Sequence, residues 1–107
     1  MTSLSPQFWL EVEAILDDEL AILQSRTFAE LTQLPESQDH GKVLVGKRDV
    51  SLTLFSWRHD PSSVVVVVQG AVQQWLGLFW RSFEKGFVAL EDGTTRAATQ
   101  KELASVL

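Results

Sequence analysis

Ser63-Val64-Val65-Val66-Val67-Val68-Gln69 holds five consecutive valines, and this stretch decides the fold. β-Branched side chains favour extended backbone, and an apolar run that does not alternate belongs to a strand covered on both faces. Val64–Val68 is therefore expected to be a central strand. Just before it, His59-Asp60-Pro61-Ser62-Ser63 carries the turn formers of a hairpin connection. Further back, Val50, Leu52 and Leu54 alternate with Ser51, Thr53, Phe55 and Trp57, the period of a strand with two different faces. Lys42–Val45 is a short strand candidate, joined to the alternating strand by a turn at Gly46-Lys47-Arg48-Asp49.

Downstream of the valines, residues 71–84 fit two patterns. Val72, Trp75, Leu76, Phe79, Trp80 and Phe83 match a helical stripe, while the aromatic content and the interior Gly77 favour a strand. These residues are expected to form a strand. Gly86 is expected to restart an extended piece over Phe87–Leu90, Asp92-Gly93 to turn the chain, and Thr94–Ala97 to return along it.

Both ends of the chain read as helices. Ser5 is a cap, Pro6 occupies the first helical position, and Leu4 is placed to staple onto Trp9. Phe8, Val12, Ile15, Leu16, Ile22 and Leu23 then recur at helical spacing. Thr27 with Glu30, and Thr99 with Glu102, form capping boxes that open a short second helix before Pro35 and a closing helix at the end. Pro35–Gly41 contains no apolar residue and is expected to be a surface loop between the helical part (1–34) and the sheet (42–98), with the terminal helix at 99–107. Helices, then hairpin-linked strands, then a helix predict a single α+β domain: an antiparallel sheet of four or five strands, an N-terminal helical pair and a short C-terminal helix.

Composition narrows function by exclusion. The 107 residues carry 14 acids against nine Lys and Arg, a formal charge of −5, the wrong sign for a surface that grips nucleic-acid phosphates or anionic membranes. With no cysteine in the chain there is no disulfide framework, thiolate nucleophile or zinc knuckle. No apolar run approaches the roughly 20 residues of a membrane-spanning helix. The acids Glu11, Glu13, Asp17, Asp18 and Glu19 stand where an export signal would be basic and then apolar, so the protein is expected in the cytoplasm.

Constellations with chemical potential are sparse. His40 beside Asp39 and His59 beside Asp60 would make a metal site only if two distant segments met. Ser56, His59 and Asp60 lack the spacing that supplies an ordered base and an oxyanion hole. Glu84, Glu91 and Asp92 sit near turns, where carboxylates are usually solvated. No phosphate-cradling glycine motif is present. No catalytic, cofactor or metal residue is assigned, and the expected activity is protein–protein association and not catalysis.

Two features suggest where partners bind. Residues 1–39 hold eight acids and one base, so Glu11, Asp17 and Asp18 on the first helix offer a surface for a basic partner. Four tryptophans are many for so short a chain, and Trp57, Trp75 and Trp80, with Val66 of the valine run, are assigned to a sheet face buried by a second copy. A homodimer through the sheet follows from the expectation that a monomer would expose an apolar patch too large to tolerate. The competing arrangement has the final helix and the segment before Lys42 cover that face. Two further readings are a pocket for a small apolar ligand, lined by tryptophans with Phe79, Phe83 or Phe87, and an acidic inhibitor or immunity-type protein for a basic target.

Overall fold

The computed structural model describes residues 5–74 and 79–106. Helix α1 (Pro6–Gln24) begins as expected: the Ser5 side chain accepts from the Phe8 N–H at 3.2 Å, with proline at the first helical position. Leu4 and its staple lie outside the described residues. The single turn of α2 (Phe28–Leu31) carries the Thr27–Glu30 capping box. Five strands follow: β1 (Ser37–Val45), β2 (Arg48–Asp60), β3 (Ser63–Gln74), β4 (Phe79–Leu90) and β5 (Thr95–Ala97), and α3 (Gln100–Ala104) closes the chain. The sheet is an antiparallel meander in the order β1-β2-β3-β4-β5, the α+β architecture that the sequence predicts. No described helix is long and apolar enough to cross a membrane.

β3 is the central strand, and its valines divide by parity. Val64, Val66 and Val68 join Val50, Leu52, Leu54 and Phe87 in the core beneath α1, which contributes Phe8, Val12, Leu16, Leu20 and Leu23. Val65 and Val67 point the other way, where with Val88 they are covered by Leu103 and Val106 from the α3 end and by Phe55 and Trp57. All five valines are at most 2% exposed within a single chain. The valine run therefore needs no second copy to bury it, because a short helix already shields the second face.

Two boundaries differ from the sequence reading. Residues 37–41 are not loop: Ser37, Gln38 and Asp39 pair with Phe55, Leu54 and Thr53 of β2. This half of β1 is an outer strand exposed on both faces, so no apolar residue marks it. The ladder shifts register between Asp39 and Lys42, where Gly41 takes a φ of 88°, a bulge that bends the edge. Nor does Gly86 start a new strand, since β4 pairs with β3 without interruption from Leu90 opposite Ser63 to Phe79 opposite Gln74. Residues 71–74 and 79–84 are strand as expected, with 75–78 outside the described residues.

α3 is fastened by one carboxylate. Glu102 accepts from the Thr99 N–H at 2.8 Å and from both terminal nitrogens of Arg96 at 3.0 Å, and its side chain is largely shielded. The Arg96 guanidinium, followed by the Thr99 N–H, lowers the Glu102 carboxyl to about 2. Its stabilisation is complete above the ordinary value of 4.5 and is lost as pH falls through about 2. Acid titration from pH 5 to pH 2 should therefore release α3, seen as a red shift in the Trp57 share of the fluorescence, obtained by difference from Trp57→Phe. Thr99→Ala should cost about 1 kcal/mol at neutral pH, and Glu102→Gln should flatten the transition between pH 4 and 2.

Candidate interaction surface

Outward from the valines, the second face of the sheet divides into an apolar and a polar half. The apolar half is a cleft of about 490 Å³ lined by Glu36, Phe55, Trp57, Ser105 and Val106, with both aromatic rings half-buried. In the polar half, Gln69 Nε2 donates to Glu84 Oε1 at 3.1 Å and the Ser82 hydroxyl donates to the same oxygen at 2.7 Å. Trp80 lies at the far end of this half and is 58% exposed.

The two outer edges of the sheet are built differently. β1 carries the bulge, and such bulges blunt an edge against further pairing. β4 is regular, and β5 meets only its Phe87, Val88 and Ala89. Among the described residues, no strand pairs with the outer side of β4 between Phe79 and Lys85. Two of the three charges on this stretch, Glu84 and Lys85, are bonded within their own fold, and the third, Arg81, lies beside an aromatic ring. Lys85 Nζ is 2.8 Å from Asp17 Oδ1 and 3.4 Å from Glu13 Oε2, and the Asp17 hydrogen bond raises its pKa. Glu84 is held by Gln69 and Ser82, and the Arg81 guanidinium lies 5.7 Å from the centre of the Trp9 ring.

The residues assigned to partner binding separate. On α1, Glu11 and Asp18 are exposed, whereas Asp17 is tied to Lys85 and Glu19 lies 3.3 Å from His40 Nε2. Lys85 also offsets the repulsion between Glu13 and Asp17, neighbours on one helix face. Trp57 lines the cleft, Trp80 is exposed, and Trp75 lies outside the described residues. Val66 is 0% exposed on the α1 side of the sheet, so it has no surface to offer a partner. Of the aromatic residues considered for a pocket, Phe87 is buried in the core and Phe83 packs against it near Trp9, at a ring separation of 6.3 Å. The side chain of Phe79 is outside the described residues.

The other polar constellations are engaged locally. His40 sits in the β1 bulge opposite the middle of β2, while His59 is at the β2 terminus, about 20 Å away along the strand. Among the described residues no three His, Asp or Glu side chains cluster to hold a metal. The Ser56 hydroxyl is buried and donates to the Pro35 carbonyl at 3.0 Å. Asp60 accepts from the Ser62 N–H and hydroxyl at 2.8 Å, and Asp92 does the same for Thr94 at 2.9 and 2.6 Å. These bonds lower both carboxyls and fix the two turns. No protein-family model, curated protein or solved structure matches the chain.

Proposed function

We propose that the protein acts in the cytoplasm as a small association module that presents its sheet to another protein, with a second copy of the same chain as its first partner. The observation that carries this reading is the asymmetry of the edges. One is blunted by a bulge, and the other is regular, bonded on one side only among the described residues, and next to an exposed tryptophan. Unpaired strand edges recruit further strands, and large aromatic side chains dominate binding energy. Sedimentation velocity at tens of micromolar should give twice the 12.0 kDa chain mass, shifting toward the monomer on dilution. A single 12.0 kDa species at every concentration would remove self-association.

The cleft beside Trp57 supports a second reading, in which a flat apolar ligand inserts between Phe55, Trp57 and Val106. Anilinonaphthalene sulfonate should then quench Trp57 to the same extent at all protein concentrations. Quenching that tracks the fraction of dimer would instead assign the probe to an interface.

A further inference from the structure

Resting on the self-association reading, we infer that two copies join through β4, edge to edge, about a two-fold axis at Ser82, and that Trp80 of each docks beside α3 of the other. Residues of an antiparallel strand turn both backbone groups alternately to one neighbour and then to the other. On β4 the Gly86 carbonyl accepts from Ala98 N–H at 3.1 Å, and Leu90 N–H donates to the Thr94 carbonyl at 2.8 Å. The even-numbered residues therefore face outward, and Trp80, Ser82 and Glu84 present N–H and C=O groups to an incoming strand.

Charged side chains defend an edge because an arriving strand must strip their water. Here Lys85 and Glu84 are bonded to α1 and Gln69, and Arg81 lies beside the Trp9 ring, so an arriving strand has less water to strip than the sequence charges imply, while like charges still select the register. The occupant must be an extended backbone, and the side chains select a second copy.

A two-fold axis perpendicular to the sheet keeps every side chain on its own face, so the axis must fall on a residue. An axis at Arg81 sets arginine against arginine, and one at Glu84 sets glutamate against glutamate. An axis at Phe83 opposes Arg81 to Lys85 twice and calls on the Gly86 carbonyl, which Ala98 already occupies. Like charges directly opposite are unfavourable. The axis at Ser82 has no such clash: Ser82 meets its own copy, Trp80 meets Glu84, and Arg81 meets Phe83. All three outward-facing residues then exchange backbone bonds.

The same register gives Trp80 a seat. It comes opposite Glu84 on the second face, where a groove of about 210 Å³ runs between the β4 edge and α3, lined by Phe83, Glu84, Gln100, Leu103 and Ala104. One patch supplies both the tryptophan and its groove, the self-complementarity that a two-fold contact requires.

Single cysteines test this directly, since the native chain has none. Residues paired across such an axis have Cα atoms about 5.5 Å apart, within disulfide reach, so Ser82→Cys should convert to a covalent dimer under mild oxidation. Glu84→Cys should not, because its two copies stand about 14 Å apart, four positions along the strand. Trp80→Ala should weaken the dimer at least about tenfold while leaving the far-ultraviolet spectrum of the dilute monomer unchanged. A native dimer in which Glu84→Cys cross-links and Ser82→Cys does not overturns this register and leaves self-association standing on another surface. A Ser82→Cys dimer whose Trp80→Ala variant binds as tightly as the parent overturns the seat alone. A native chain that stays monomeric overturns the pairing and the self-association reading together.

Discussion

Replacing Gly86 by alanine is expected to cost about 2–3 kcal/mol and to lower the melting temperature by roughly 10–20 °C. A methyl group at this position would sit 2.6 Å from the Val66 carbonyl oxygen, 2.9 Å from Val67 Cγ2 and 3.2 Å from Val67 Cα. Two of those three atoms are backbone of the central strand, so no rotamer change relieves the overlap. Either β4 lifts away from β3 or the ladder bends where Val65, Val67 and Val88 are most tightly enclosed. Gly46→Ala is the control, since its Cβ meets nothing within 4 Å and its φ of 61° costs only about 1–2 kcal/mol. Equal melting temperatures for the two variants would mean that β3 and β4 do not approach as closely as described.

Val66→Lys is expected to unfold the protein. The side chain is 0% exposed beneath α1 and packs in a cluster of apolar residues, and burying an unpaired charge costs several kcal/mol. Against a total stability of about 5–15 kcal/mol for a domain of this kind, that loss should abolish the native circular dichroism at 37 °C. Val66→Ala separates packing from charge and should cost about 2–3 kcal/mol with the fold retained. Trp80→Ala should leave the unfolding free energy of the monomer within about 0.5 kcal/mol of the parent, as surface substitutions do. A soluble, folded Val66→Lys protein would show that the valine side chain faces solvent.

Five adjacent β-branched residues admit only a strand covered on both faces, so the central position of β3 was legible in the sequence. The caps were legible too, because a capping box is a local exchange over three residues and Thr27–Glu30 and Thr99–Glu102 both close as their spacing implies. The first half of β1 was not, since Ser37–Gly41 lies at an edge with both faces wet and hydrophobicity carries no information there. The valine run could not say which element covers which face. Sequence alone therefore places Val66 at an interface, whereas the chain itself covers it with α1, and α3, only five residues long, closes the other side over Val65 and Val67. The outer side of β4 was hidden for a different reason. It exists because β5 stops after three residues and because Lys85 reaches carboxylates 68 and 72 positions earlier, and neither fact is written in any local pattern.

The strand order also bears on how the chain reaches this state. Each strand pairs only with the strands before and after it, so no ladder has to close a long loop first. Such a sheet grows by zipping one hairpin onto the last, and the entropy of each addition is that of a few residues. α1 is the exception: it packs against β1, β3 and β4, and no single hairpin offers it a complete binding face. Helix docking is then the event that makes folding cooperative. Substitutions at Val12 or Leu16 should slow folding in proportion to the stability they remove only if the docked helix is part of the transition state, whereas changes at the α3 seal should act almost entirely on the rate of unfolding.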